Sequence, residues 1–247
     1  MRTSDYSDYL VRMGGLIGVD SGNFTTQELT RLNGFFQKNV RKIWETTFWP
    51  DVCVLESRTP DASYVISYEQ SGQTAIDVVM DVYAASPTTQ SAPRRLGWIL
   101  TPDGIQLTTA TSTTAVWVWF RKRVPRYAGA TLSLSAVYAV GDKVFFTTSA
   151  GAGNYYVCAA VTTAGQTPDT HAAKWTLQEV PYTFFEYAIQ ASFADWLRSD
   201  GQRTAAAQEQ TMTAQSLFDD ALDRVERQQR TIAPTIFLTH LNSRPAN

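Results

Sequence analysis

The hydrophobic period of the chain changes twice, and this change constrains the fold more than any single motif does. Apolar residues recur every three or four positions over 25–48 and again over 183–229, as on one face of a helix. Between these segments, apolar and polar residues alternate in short runs separated by turn residues, as in strands. The sequence therefore predicts an α+β fold: a helical bundle from the N- and C-terminal segments, with an inserted antiparallel β region and a small second β module.

The N-terminal part is predicted to contain two helices. The first is short and covers 6–13. The second begins at Thr25, whose spacing to Glu28 is that of a capping box, and it ends before Pro50, because a residue that precedes proline avoids the helical region. The predicted buried stripe of this second helix consists of Leu29, Leu32, Phe36, Val40, Ile43 and Trp44.

Two groups of strands are predicted in the middle of the chain. The first group, in a β-rich insertion over 51–128, covers 52–55, 64–68, 75–83, 98–100, 105–108 and 115–120. The last of these strands is apolar on both faces, which is typical of a central strand. The second group, in a small β unit over 129–180, covers 137–140, 143–147, 155–161 and 174–180.

The C-terminal part is predicted to be helical again and, with 1–50, to form a helical body that ends near residue 230. One helix follows Pro181, and a second runs from about 203 to 229 with a stripe of small and apolar residues: Ala207, Met212 or Gln215, Leu217, Ala221 and Val225. Asp219, Asp220 and Asp223 lie opposite part of this stripe. A solvated face is the simple interpretation of these acids, and the lining of a channel that repels DNA is the alternative.

Residues 231–247 are predicted to form an extended tail. They are apolar and β-prone at first, and such a segment needs a cover on its own domain or on a partner. The residues expected to dock onto another subunit or partner are Ile232, Pro234, Ile236, Phe237 and Leu238.

The sequence offers no set of residues for catalysis, a cofactor or a metal. Its two histidines, His171 and His240, have no cysteine or carboxylate nearby at metal-ligand spacing, and it contains no Walker loop, GxSxG or HExxH motif. A net charge of −2 argues against binding of polyanions by the whole chain. No apolar run is long enough for a membrane span. We therefore expect a protein that is not an enzyme.

The unit over 129–180 resembles the chitin-binding type of carbohydrate-binding module. The resemblance rests on Val137-Tyr138, Gly141–Val144, Tyr155–Cys158, Thr163–Pro168 and Trp175, in that order. In those modules exposed tryptophans that stack on sugar follow the third strand, whereas this sequence has Ala159-Ala160-Val161 there. Tyr138, Tyr155 and Trp175 are thus expected in the core of a small domain, and contact with a glycan is the alternative.

The rest of the chain resembles head-to-tail connector (adaptor) proteins of tailed bacteriophages. The resemblance rests on Trp49-Pro50-Asp51, the strand Val116–Trp119, and the segments Ala194–Leu197 and Asp200-Gly201-Gln202 before an Ala-rich helix. It implies a structural virion protein of the neck, made in the host cytoplasm, that forms a homo-oligomeric ring of about twelve subunits. The ring would bind the portal protein and tail or stopper proteins, and DNA would pass through it during ejection without sequence-specific binding. A stopper or tail-completion protein and a glycan-binding module are the alternatives.

Overall fold

The structure is a computed structural model that describes residues 3–70, 72–89, 94–109, 114–147, 153–199 and 204–241, with side chains as far as residue 227. The described chain is mixed α/β, with four α-helices and several largely antiparallel sheets, and is compatible with the predicted α+β class. Its helices are α1 (Tyr6–Ile17), α2 (Thr26–Thr46), α3 (Tyr182–Ser199) and α4 (Thr204–Leu241).

Twelve short strands form four sheets in the described residues. They are β1 (Thr3–Asp5), β2 (Cys53–Arg58), β3 (Val65–Ser67), β4 (Ile76–Tyr83), β5 (Trp98–Leu100), β6 (Gly104–Leu107), β7 (Val116–Lys122), β8 (Ala130–Thr131), β9 (Lys143–Phe146), β10 (Asn154–Cys158), β11 (Trp175–Leu177) and β12 (Glu179–Pro181). The strand orders are β1-β12, β2-β7-β4, β3-β6-β5 and β11-β10-β9-β8. The pair β8–β9 is parallel.

The chain divides into two compact units. The helical unit comprises Arg2–Ile43, Phe146–Asn154 and Glu179–Asn247, and the sheet unit comprises Trp44–Phe145 and Tyr155–Gln178. The helical unit thus contains segments from both the N-terminal and the C-terminal parts of the chain, and most of the strands belong to the sheet unit.

The two N-terminal helices begin at side-chain caps. At α2 the predicted capping box is confirmed: the Thr25 amide donates to Glu28 Oε2 (2.8 Å), and the Glu28 amide donates to Thr25 Oγ1 (3.3 Å). All of its predicted stripe is buried except Leu29, which is half-buried. Helix α1 is longer than predicted and ends at the left-handed cap residue Gly18. Gly14 lies so close to the Val19 carbonyl oxygen that a Cβ would meet it at 2.4 Å. Glycine at this position therefore serves packing and does not end the helix.

The sheet unit contains a core between the sheets β2-β7-β4 and β3-β6-β5. Strand β7 is central, as predicted, and its buried face carries Val116, Val118 and Phe120. Trp119 on the opposite face is 38% exposed. Ile66 and Ile105 from the second sheet complete the same core cluster.

A second, smaller core cluster lies in the sheet β11-β10-β9-β8. It consists of Val144, Cys158 and Trp175, with Tyr138 and Tyr156 packed against it. The strand predicted over 137–140 is wrong, since this segment has no strand structure and Val137 and Val140 are exposed. The segment is apolar enough to suggest a strand, but these two valines are not in the core.

Helices α3 and α4 pack on each other, with α3 ending at Ser199 and α4 beginning at Thr204. Asp200 and Gly201, which precede the predicted second helix, lie outside the described residues. The predicted stripe of α4 is partly wrong: Met212 is 76% exposed, and the buried residues, at steps of three, four and seven, are Ala207, Ala214, Phe218, Ala221 and Val225. A phenylalanine buries more apolar surface than a leucine or methionine, which favours the stripe that contains Phe218.

The end of α4 also differs from the prediction. The helical backbone continues through Leu241, so the predicted helix end at 229 and an extended strand-like tail from 231 are wrong for the part up to 241. The β-branched residues of this segment lower helix propensity by only tenths of a kcal/mol each. Pro234 in the same segment opposes a helix by about 3 kcal/mol, so local propensity does not account for the continuation of α4.

Candidate interaction surfaces

A buried polar network connects α2 to α3 in the helical unit. The Asn39 amide nitrogen donates to Asp195 Oδ2 (3.0 Å) and Ser192 Oγ (3.3 Å). Lys38 Nζ lies 2.6 Å from the same Asp195 oxygen. Asn39 and Ser192 are buried, and buried polar groups of this kind stabilise one arrangement of helices because each needs its partner.

A cleft of about 140 Å³ opens beside this network, lined by residues of α2, α3 and α4. Three cations border it: Lys38, Lys42 and Arg198. Arg198 Nη2 donates to Thr211 Oγ1 (2.8 Å), and Lys42 Nζ lies 5.9 Å from the Tyr187 ring centre. Asp195 is the single carboxylate among the lining residues. The cleft therefore carries a net positive charge.

The exposed face of α4 is acidic. Asp219, Asp220 and Asp223 are all exposed and lie on the side of the helix opposite the buried stripe. Gln215 Nε2 donates to Asp219 Oδ1 (2.8 Å), and an exposed ion pair joins Asp223 to Arg227 at 3.7 Å. Exposed pairs of this kind contribute little to stability. These acids are consistent with either a solvated face or a face that meets a partner.

Met212 lies on this same acidic side of α4. Its exposed fraction of 76% is the largest among the exposed large hydrophobic side chains of the described residues. Methionine is enriched in protein–protein interfaces and tolerates varied packing. Met212 and Gln215 were the alternatives for one position of the predicted stripe, and both are exposed because the buried stripe is in phase with Phe218.

The predicted docking tail is only partly described. Ile232, Pro234, Ile236, Phe237 and Leu238 belong to the helical backbone of α4, and their side chains lie outside the described residues. Their role in docking stays a prediction.

The three aromatic residues considered for glycan contact lie in or next to the interior of the sheet unit. Trp175 and Tyr155 are 6% and 9% exposed, and Tyr138 is half-buried. The Tyr138 and Trp175 rings meet edge to face at 5.4 Å, and Trp175 Nε1 donates to the Gln166 carbonyl oxygen (3.3 Å). Burial also raises the pKa of Tyr155. A ring that stacks on sugar needs an open face, which neither Trp175 nor Tyr155 offers.

Four exposed aliphatic residues occur in two segments of the small β unit. Val137 and Val161 are 63% and 60% exposed, and the segments that carry them are hydrogen bonded from Thr162 N to Tyr138 O (3.0 Å). Leu134 and Val140 are exposed as well. This surface was not predicted, although the absence of charged residues over 127–141 and 155–168 is visible in the sequence.

The described residues contain no group of three or more His, Cys, Asp or Glu side chains that could hold a metal ion. Within the same residues, no helix combines the length and apolar character needed to cross a membrane. Cys53 and Cys158 are free thiols, and burial raises the pKa of Cys53 to about 11. A thiol with so high a pKa is a poor nucleophile near neutral pH.

Comparison of the sequence with protein-family models and with curated proteins found no match in either case. We therefore base the functional proposal on the surfaces described above and on the resemblances of the sequence.

Proposed function

We propose that this chain is a structural adaptor of a tailed-bacteriophage neck. Copies of it would form a homo-oligomeric ring that joins the portal protein to the tail and lets DNA pass without sequence-specific binding. The proposal combines the resemblance of the sequence with the architecture of the helical unit. A stopper one ring further toward the tail is the nearest competing assignment.

One observation carries the proposal: the two ends of the chain meet in one helical unit. Strand β1 pairs antiparallel with β12, with Thr3 opposite Pro181 and Asp5 opposite Glu179. Helix α1 also packs on α3, and Arg12 lies 3.4 Å from Glu186. A helical body closed by both ends, with β regions inserted between, is the arrangement that the adaptor resemblance implies.

The helical body in this proposal is a bundle of α1–α4, which would build the wall of the ring. The inserted β-rich region and the small β unit would be carried by that wall. Residues 231–247 would dock onto the portal or a neighbouring subunit. The surface of the helical unit supports a role in assembly, because it combines exposed charge of both signs with the exposed Met212.

Binding to portal rings tests this proposal. The full chain would be mixed with purified candidate portal rings, and complexes would be counted by mass photometry and imaged by electron microscopy. The proposal predicts ring-sized additions to the portal, which deletion of 231–247 removes. As a matched control, Ser86→Ala changes a buried polar side chain of the sheet unit and should leave these complexes intact. A full-length chain that ignores every portal while remaining folded would contradict the proposal.

A further inference from the structure

We infer that the apolar C-terminal arm of one subunit binds an aliphatic patch on the small β unit of a second copy of this chain. The aliphatic patch is defined by Leu134, Val137, Val140 and Val161, and the C-terminal arm by residues 228–241. This inference rests on the proposed function, because it names the surface that would receive the docking tail within the ring.

The aliphatic patch is formed by two segments that run antiparallel to each other. Three backbone hydrogen bonds of 2.7, 3.0 and 2.8 Å join them: Gly165 N to Leu134 O, Thr162 N to Tyr138 O and Gly141 N to Cys158 O. Val161 therefore lies opposite the stretch between Val137 and Val140. These three valines are 60%, 63% and 48% exposed. They thus belong to one surface and are not single apolar residues scattered among polar ones.

The aliphatic patch carries no charge of its own. No charged residue occurs over 127–141 or 155–168. Lys174 borders the patch, and its Nζ donates to the Val161 carbonyl oxygen (2.9 Å) and to Gln166 Oε1 (2.7 Å). An apolar centre with a polar border is typical of a specific protein–protein interface. The partner that fits this surface is therefore an apolar, uncharged segment.

The C-terminal arm has this chemistry. Residues 231–241 contain no Asp, Glu, Lys or Arg, and more than half of them are apolar: Ile232, Ala233, Ile236, Phe237, Leu238 and Leu241. The backbone of this segment is helical through Leu241. Docking of a helix through its apolar residues is a common mode of recognition between chains.

The C-terminal arm extends beyond the helix on which α4 packs. Helices α3 and α4 are antiparallel, since the Tyr187 ring meets Phe218 at 5.3 Å and Arg198 Nη2 donates to Thr211 Oγ1 at 2.8 Å. They contain 18 and 38 residues, which corresponds to about 27 and 57 Å at about 1.5 Å per residue. Helix α3 is therefore too short to cover the apolar residues of the arm.

The arm and the patch are different surfaces of one chain, so the contact between two copies is heterologous. Heterologous contacts close into a ring when the rotation between subunits divides a full turn, and otherwise produce open filaments. A ring in which each arm reaches the next subunit therefore covers every patch with one arm.

Removal of apolar groups from either surface tests the contact. One full-length variant carries Val137→Ser and Val161→Ser, and another carries Ile236→Ser and Leu238→Ser. Each should associate at least about tenfold more weakly than the wild-type chain, because the contact loses buried apolar surface. A variant with all four substitutions should be little weaker than either pair, since both pairs remove the same contact. Analytical ultracentrifugation and mass photometry over a range of concentrations would measure association.

A matched control removes equally exposed aliphatic residues from another strand of the sheet unit. Ile99→Ser and Leu100→Ser replace residues of β5 that are 54% and 61% exposed, and they should leave association unchanged. Circular dichroism and thermal unfolding would establish that each variant is folded. If the patch variant is unfolded, Val137→Ser alone replaces it, because Val137 is 63% exposed and lies outside the strands.

The outcomes separate this inference from the ring proposal. A folded patch variant that assembles as well as the wild type would overturn the contact and leave the ring intact. A patch variant that forms normal rings but no longer binds portal rings would also overturn it, because the portal would then cover the patch.

Two further outcomes concern both proposals. A four-substitution variant that is far weaker than either pair would overturn the contact, because the arm and the patch would then act independently. Two-fold dimers that require both surfaces would support the contact and contradict the ring. A wild-type chain that stays monomeric at all concentrations, alone and with portal rings, would overturn both before any variant is compared.

Discussion

Arg58 places a guanidinium in the interior of the sheet unit. Its side chain is fully buried, and its Nη2 contacts Glu56 Oε2 at 2.7 Å and the Thr74 carbonyl oxygen. The guanidinium also lies 5.1 Å from the Phe120 ring centre. Nε and Nη1 are buried without a hydrogen-bond partner. A buried cation with so few partners depends strongly on the carboxylate that it has.

Glu56→Gln tests this dependence. Since Glu56 is itself partly exposed, we expect the free energy of unfolding to fall by about 1–3 kcal/mol, measured by urea denaturation. Glu209→Gln, on an exposed position of α4, is the matched control and should change stability by less than about 0.5 kcal/mol. Equal effects of the two substitutions would show that Arg58 does not need its carboxylate.

The burial of Trp175 distinguishes a role in the core of the small β unit from a role in glycan contact. Trp175→Ala should lower stability by about 3–5 kcal/mol, as expected when a large buried aromatic residue is removed. Trp119→Ala, at a tryptophan that is 38% exposed, should cost clearly less. Thermal unfolding and a glycan array would be run on both variants. Wild-type binding to a glycan that Trp175→Ala abolishes, without loss of stability, would contradict the core role.

The start of α2 shows how a local motif determines an element. The Thr25 amide and hydroxyl both donate to Glu28 Oε2, at 2.8 and 2.7 Å, and these bonds lower the pKa of Glu28, with the backbone donor the larger cause. Because the pKa is lower in the folded state, the resulting stabilisation is complete above the ordinary glutamate pKa. It is lost as the pH falls through the lowered pKa.

Thr25→Ala should therefore reduce stability by about 0.5–2 kcal/mol at neutral pH. This deficit should shrink in acid, where protonated Glu28 no longer accepts both bonds. Urea unfolding at a series of pH values would measure it, with Thr26→Ala on the adjacent exposed threonine as control. A deficit that is the same at every pH would mean that the Glu28 carboxylate does not contribute.

At the scale of elements, the sequence predicted most helices and strands but not their phase or their ends. The capping box and the stripe of α2 were readable because side-chain spacing and local hydrogen bonds reinforce each other. The stripe of α4 was not, because alanines fit on either side of a helix and only contact with α3 selects Phe218 over Met212. The 137–140 segment was wrongly predicted as a strand because it is apolar, although Val137 and Val140 are exposed in the structure.

Several features of the candidate surfaces depend on tertiary contacts that no sequence pattern records. The acids of α4 were recognised as exposed from sequence, and the structure agrees. The cleft between α2, α3 and α4 was missed, because Lys38 and Arg198 are far apart in sequence and both contact Asp195 only in the folded chain. Single charges on separate helices give no local signal of a shared surface.

For the whole molecule, we propose a ring-forming adaptor. The helical unit contains segments from the N-terminal and C-terminal parts of the chain, which meet in the strand pair β1–β12, while most strands form a separate unit. This shared helical body is the observation that supports the proposal.

Cryo-electron microscopy of the purified chain, alone and on portal rings, tests whether it forms such a ring. We expect closed rings with rotational symmetry and an open centre wide enough for duplex DNA, and the class averages would give the subunit number. Monomers, two-fold dimers or open filaments under both conditions would contradict it.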